Sequence, residues 1–272
     1  MFISMSVPAV IISSVLNRGT VVCSARMAQP DVHRGNWRPT LPNCRMKLRT
    51  PLGSAPDRRC PLPFYRNHIY PYLVDRLGDP PLIQKVRRQI IPWAQGTVLE
   101  IGVGSGANFV HYDPTSVRKL YALEPNPGMI RLAERRGQPT KLSIEFLDLP
   151  GERIPLEAGT VDTVVSTFTL CTISRIVDAI AGLGRVLRPA GTFIFFELGL
   201  SPDPAVQRWQ KQLEPVHRWL FQGLCLTRDI PSLITQGGFQ IQQIEAGYLA
   251  PFPKSSSHCW WGTAKRNQGP PP

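Results

Sequence analysis

From position 61 onward the hydrophobic residues fall into two alternating textures. Short runs rich in β-branched and aromatic residues stand at VLEI 98–101, KLYAL 119–123, LSIEF 142–146, VDTVVSTF 161–168 and TFIFFE 192–197. Between and after them, at 127–136, 175–187, 205–221 and 227–236, apolar positions recur at helical spacing. An amphipathic stretch around Leu82, Val86, Ile90 and Ile91 precedes the first strand, and two late strands are expected near 240–245 and 258–264. Pro215 is expected to kink the third of these helices. Such alternation predicts βαβ units around a parallel sheet with helices on both faces.

Residues 1–60 follow neither period. The uncharged start, MFISMSVPAVIISSVL, lacks the basic n-region of a secretory signal, since Arg18 is the first basic residue. Positions 18–59 are rich in Arg, Pro, Ser and Asn. The segment 1–60 is therefore expected to be a disordered basic extension, either an organellar targeting segment or upstream sequence ahead of the native start. The domain is expected at 61–266 and a loose tail at 267–272. The expected compartment is the cytoplasm, or an organelle if residues 1–60 are a transit peptide.

Composition narrows the function classes. The 272 residues are 42% hydrophobic and 18% charged, a globular balance. The net charge of +12 would suggest a nucleic-acid partner if it were spread over the domain. It is not: nine Lys and Arg against Asp31 and Asp57 leave +7 on residues 1–60, and 22 against 17 leave +5 on the rest. No nucleic-acid partner is expected, and a small-molecule acceptor with peripheral membrane contact fits better. The six cysteines have no CxxC pair and no nearby histidine at ligand spacing, so free thiols are expected and no metal site. No apolar run reaches the length of a membrane span.

The most informative stretch is Val98–Phe109, VLEIGVGSGANF, where a strand runs into Gly102, Gly104 and Gly106 and then, by expectation, a helix. Glycines here let the backbone turn sharply and approach a ligand. The GxGxG spacing differs from the GxGxxG of dinucleotide sites. Glu100, at the strand end, suits a cationic amino group and would repel a pyrophosphate. Glu124, in LEPNPGM, closes the next strand where an acid can hold two ribose hydroxyls. The segment DLPGERIP, 148–155, follows the third strand, where adenine would be walled in and Asp148 could meet its exocyclic amine. An adenosine ligand with an amino-acid head and no phosphate is S-adenosylmethionine.

With these motifs, and with GERIPLEAGTVDTVV and RVLRPAGTFIFFE, residues 61–265 resemble the seven-stranded S-adenosylmethionine-dependent methyltransferases. STFTLCTI, LFQGLCLTRD and HCWWGTA are similar to the methyltransferase-like group that contains the alkyl thiol methyltransferases and their bacterial relatives. The resemblance implies a Rossmann-like, doubly wound α/β fold in three layers, with strand order 3-2-1-4-5-7-6 and the last strand antiparallel. It implies cofactor contacts at Glu100, Gly102, Gly104, Gly106, Glu124, Pro125, Gly151, Glu152 and Thr167, with main chain from 167–170 at the methionine end. Four positions depart from the family pattern: Ala190 in RPAG, Pro150 near adenine, Leu198 after Glu197 where His is usual, and Leu224 where Cys is usual.

Methyl transfer asks mainly for orientation and exclusion of water. Tyr65 and Tyr70 from the leading segment, with Trp219 and Phe221 from the long helix, are expected to form a substrate lid, although Trp209, Trp219 and Phe221 also read as a core stripe. His68 and His217 are the candidate bases. The acceptor is expected to be small and apolar, a thiol or a lipid-like amine. Alternatives are a lipid or quinone methyltransferase, or a noncatalytic cofactor-binding protein. The acceptor-flipping D/N-P-P-Y motif of nucleic-acid methyltransferases is absent, STFTL standing in its place.

Overall fold

The computed structural model describes residues 64–249 and 252–267. The expected extension 1–60, the first three residues of the expected domain and the tail beyond Asn267 lie outside the described residues.

A π-helical turn, Tyr65–Ile69, leads into α1 (Tyr70–Leu77) and α2 (Pro81–Ile90). Then follow β1 (Gly96–Ile101), β2 (Val117–Leu123), α3 (Pro127–Gly137), β3 (Ile144–Leu147), β4 (Val161–Thr167), α4 (Ile176–Val186) and β5 (Leu187–Leu198). The chain continues through α5 (Pro204–Leu220), α6 (Ile230–Gln236), β6 (Phe239–Tyr248) and β7 (His258–Arg266). The sheet order is β3-β2-β1-β4-β5-β7-β6, parallel throughout except for β7, which runs antiparallel to both neighbours. This is the expected three-layer, seven-stranded architecture.

Alternation along the strands assigns residues to two cores. In β5, Ile194 and Phe196 join Val98, Leu120 and Val165 under Ile83, Val86 and Ile90 of α2. Phe193 and Phe195 turn to the other face and pack with Ile180 and Leu183 of α4 and Ile234 of α6. Asn126 caps α3 by accepting from Gly128 and Met129 N–H at 2.8 and 3.3 Å, and Asp203 and Asp229 cap α5 and α6.

Several expectations are corrected. The expected Val86, Ile90 and Ile91 are buried, while Leu82 is 41% exposed and its place on the buried stripe of α2 is taken by Ile83, with Arg87 joining that stripe. No α-helix follows the glycine turn. Positive φ at Gly106 and the break at Asp113–Pro114 leave room only for a 3-10 turn, Phe109–His111. The last helix before β6 starts at Ile230, where Asp229 caps it and Pro231 sits in its first turn, and not at Thr227. Trp209 and Trp219 are 61% and 57% exposed, because the buried residues of α5 are Val206 and Gln210 on its other side. Pro215 removes one helical donor, yet the helix runs on to Leu220. The Ala190 departure is tolerated because that position is exposed, whereas a Cβ on Gly191 would come within 2.9 Å of the Asp162 carbonyl.

Candidate functional site

A cavity of about 780 Å³ opens at the carboxyl ends of β1, β2, β4 and β5. Ligand clefts in open α/β sheets lie at this edge, where the strand order reverses beside β1. One half is walled by the glycine turn, the end of β2 and Gly151–Glu152. The other half is walled by Phe168, Leu198, Phe221, Leu224, Leu249 and Cys259, which are mostly apolar.

The glycine turn divides its labour. Gly102, Gly104 and Gly106 have φ of 62°, 55° and 78°, in the left-handed region that favours glycine. A Cβ on Gly102 would collide with the Thr169 side chain. At Gly106 it would come within 2.7 Å of the Phe109 ring, and this residue does not line the cavity. The Cβ of residue 104 would meet only the Gly102 carbonyl, at 4.0 Å, so this backbone lies open to the cavity. Gly106 therefore packs against Phe109, and the Gly104 backbone faces the cavity.

Two buried carboxylates close the ends of β1 and β2. Glu124 lines the cavity and accepts from Gly104 N–H at 3.0 Å and Asn126 N–H at 2.9 Å. Burial raises its pKa to about 7 despite those two bonds. Each oxygen keeps a lone pair for a ligand hydroxyl. Glu100 is different, because it lies behind the wall with its oxygens taken by Asn108 Nδ2 at 2.7 Å and the Tyr112 hydroxyl at 2.8 Å. Burial raises it to about 7 as well. Glu100 does not line the cavity, so the geometry gives the expected contact with an amino group no direct path; the Asn108 that it holds accepts through Oδ1 from Arg87 Nη1 at 2.6 Å.

Arg87 is the principal residue that the sequence reading missed. It lines the cavity although 6% exposed, donates to Thr167 Oγ1 at 3.1 Å and pairs with Asp79 at 3.2 Å. Its signal was there, an arginine on the i, i+3, i+4, i+7 stripe of an apolar helix face. Burial draws its pKa down, opposed by Asp79 and Glu100.

The turn after β4 is held from below by Glu197, wholly buried at the end of β5. Its carboxylate accepts from Ser166 Oγ at 2.6 Å, Thr169 N–H at 3.1 Å and Cys171 N–H at 3.2 Å. Burial raises its pKa. Phe168 sits between these anchors at φ 54°, a strained conformation for a non-glycine residue, with its ring 5.5 Å from the Arg87 guanidinium carbon.

The other expected residues distribute as follows. Pro125, Gly151, Glu152, Thr167, Tyr70, His217 and Phe221 line the cavity. Pro150 lines it too, whereas Asp148 is exposed and lies off its wall. Tyr65 is a strut, its hydroxyl donating to the Leu220 carbonyl at 3.2 Å. His68 and Trp219 are exposed and do not line the cavity, because His68 stacks beside Phe64 and Trp219 lies on the outer face of α5. His217 Nδ1 must carry its proton, since it faces the Leu213 carbonyl at 3.1 Å, leaving Nε2 to accept from Ser256 Oγ at 3.1 Å. Among the described residues, no group of three or more His, Cys, Asp or Glu could hold a metal, and no helix is long and apolar enough to cross a membrane.

Comparison with known proteins agrees with this geometry. Residues 99–195 match the methyltransferase domain family. Thiol S-methyltransferase TMT1B of Homo sapiens is 33% identical over 152 residues, 54% of this chain and 62% of that protein. The ubiquinone/menaquinone biosynthesis C-methyltransferase UbiE of Rhizobium johnstonii is 27% identical over 115 residues, 41% of this chain and 45% of that protein. The chain thus spans less than two thirds of the length of either relative. The crystal structure of the YcgJ protein of Bacillus subtilis, 12% identical, superposes with a TM-score of 0.56 over 69% of this chain and 99% of that one, which is a likeness of fold. Glycine turn, buried strand-end acid, strand order and domain match converge: residues 99–195 carry a methyltransferase domain, set in a sheet with the strand order expected of the S-adenosylmethionine-dependent class.

Proposed function

We propose that this protein transfers a methyl group from S-adenosylmethionine to a small apolar acceptor, a thiol before any other class. The observation that carries the reading is the two-ended cavity: an open Gly104 backbone beside the Glu124 carboxylate at one end, an apolar wall at the other. The residues present fit the cofactor, since a Cβ at position 104 would occupy cavity space that the chain leaves empty.

Glu124 accepts the ribose hydroxyls, Gly151 and Glu152 flank the adenine, and Arg87 donates to the methionine carboxylate. The turn 167–170 presents its main chain near the methionine end, pinned there by Glu197. When bound, the cofactor supplies an electrophilic methyl carbon on a sulfonium with a neutral leaving group. The protein's work is therefore to align the acceptor, exclude water and remove a proton. A thiol ionises near pH 8.5 and reacts as the thiolate, so a modest base suffices. His217 is the base on the cavity wall and acts through Ser256, whose hydroxyl passes its proton to Nε2 as it takes the proton of the thiol. A thiol suits this wall better than an amine, because, of the carboxylates that line the cavity, Asp75 and Asp79 are paired with Arg136 and Arg87, while Glu124 and Glu152 stand at the cofactor end, leaving none to hold an ammonium. The thiol activity named for the human relative supports the same order of preference.

The test is calorimetric titration with S-adenosylmethionine and its demethylated product, followed by a screen of thiols, amines and quinols with labelled cofactor and product mass. Label in an S-methyl product supports the reading. Cofactor binding with label only in quinols would replace it by a quinone methyltransferase, and no binding would leave a noncatalytic protein.

A further inference from the structure

Two polar atoms at the apolar end of the cavity have no partner. Ser257 Oγ and Gln222 Nε2 are buried and make no hydrogen bond among the described residues, and both residues line the cavity. Buried donors are nearly always satisfied, because each has given up its bonds to water. Two such atoms on one wall ask for something that enters from outside the chain.

Gln222 carries a second mark. Its φ is 51°, the left-handed region that a side chain resists. Bonds on either side hold it there: Phe221 N–H to the His217 carbonyl at 2.8 Å, and Gly223 N–H to the Arg218 carbonyl at 2.8 Å. Strain of this kind persists where the surroundings over-determine it, and it gathers at ligand sites. The His217–Ser256 hydrogen bond ties the end of α5 to the turn before Ser257, and Leu249 N–H donates to the Ser257 carbonyl at 2.9 Å. Both unpartnered donors therefore belong to one braced side of the cavity. Its other wall residues there, Leu224, Leu249, Phe252 and Cys259, are apolar.

Among the described residues the Lys and Arg on the cavity wall are Arg66 and Arg87, neither from the 217–224 or 249–259 segments, and Arg87 is already held by Asp79 and Asn108, so this wall offers a carboxylate no countercharge of its own. A hydroxyl and an amide N–H suit a neutral oxygen lone pair. We propose that Ser257 and Gln222 are specificity residues that dock a carbonyl oxygen of the acceptor, so that preferred acceptors are apolar thiols bearing a ketone or ester away from the sulfur. The proposal rests on the methyl-transfer reading for its use of the word acceptor, but the docking itself is a binding event and is testable without turnover.

The probes are 4-acetylbenzyl mercaptan and 4-ethylbenzyl mercaptan, which differ by a carbonyl against a methylene. Binding of each to the full chain is measured by calorimetry in the presence of S-adenosylhomocysteine, and transfer is measured separately with labelled S-adenosylmethionine. The ketone is expected to bind about tenfold more tightly. Ser257→Ala should bring the two within about twofold by weakening the ketone alone. Gln222→Gly should also shrink the preference while raising the melting temperature, since it relieves the left-handed strain; a merely structural glutamine would not lose discrimination as the fold gains stability. If Ser257→Ala does not fold, Gln222→Gly carries the test. Equal binding of the two probes, binding of neither, or a preference kept in both variants overturns the docking pair. A ketone preference without methyl transfer to either probe would leave the pair standing and overturn the thiol methyltransferase reading instead.

Discussion

The two ends of the cavity are finished to different degrees. At the β1–β2 end the polar groups satisfy one another: Glu100 is filled by Asn108 and Tyr112, Asn108 receives Arg87, and Glu124 receives two backbone N–H groups. At the β5–β7 end the wall is apolar and two donors lack partners. The first end is rigid before any ligand arrives, as a site for one invariant cofactor should be. The second end leaves its hydrogen-bonding capacity to whatever enters, and there a single oxygen can decide between acceptors.

The sharpest break in that contrast is Gly104→Val. A branched side chain at φ 55° would project into the cofactor space, so S-adenosylmethionine binding should vanish in calorimetry while circular dichroism stays native. Binding of the mercaptan probes should survive it in part. Normal cofactor affinity in a folded variant would reduce the loop to a turn.

Glu124→Ala comes next, removing two ribose hydrogen bonds to a charged acceptor at about 1.5–3 kcal/mol each, hence a weakening beyond about a hundredfold. Arg87→Met should weaken S-adenosylmethionine by about 10- to 100-fold. It should leave 5′-methylthioadenosine, which has ribose and adenine but no amino-acid head, nearly unaffected. Equal losses for the two ligands would place Arg87 elsewhere than at the carboxylate.

A smaller effect lies in pH. Glu124 rises from 4.5 to about 7 in the fold, so the folded state prefers its protonated form. Its contribution to stability is fully present below about pH 4.5 and is lost as pH rises through about 7. The ribose prefers the ionised form. Affinity for 5′-methylthioadenosine should therefore climb several-fold between pH 6 and 8, opposite in sign to stability, and Glu124→Gln should flatten the climb. The smallest effect is that of Trp219→Ala on the outer face of α5, expected within about 0.5 kcal/mol in urea melts and without change in either ligand's affinity.

The sheet was legible because five short β-rich runs alternate with helical spacing, and the order followed from resemblance to the family. Glu124 and Gly104 were legible as cavity residues, because a strand end beside a glycine turn lies at the carboxyl edge of the sheet. Arg87 was not, since a basic residue in an amphipathic helix ordinarily reads as solvent-facing, even when it stands between the buried Val86 and Ile90. That Asn108 and Tyr112 occupy the Glu100 carboxylate was not legible, because both come from a turn that had been expected to be a helix. Ser257 and Gln222 left no trace in sequence. They come to one cavity only through the packing of α5 against the turn before β7, where His217 bonds Ser256, and no local pattern encodes that.

The placement of β7 has a consequence for how the molecule is made. It is the last of the seven strands to be synthesised, yet it sits between β5 and β6, pairing Thr192 with Lys265 and Phe239 with Arg266. Until it emerges, β5 presents an unpaired edge carrying Phe193 and Phe195, and β6 has no neighbour in the sheet. Such an edge invites pairing with other chains, and closing so distant a contact is slow. A nascent chain halted before His258 should therefore be the aggregation-prone species and the natural client of chaperones, while a chain whose β7 is free to pair can seal the edge.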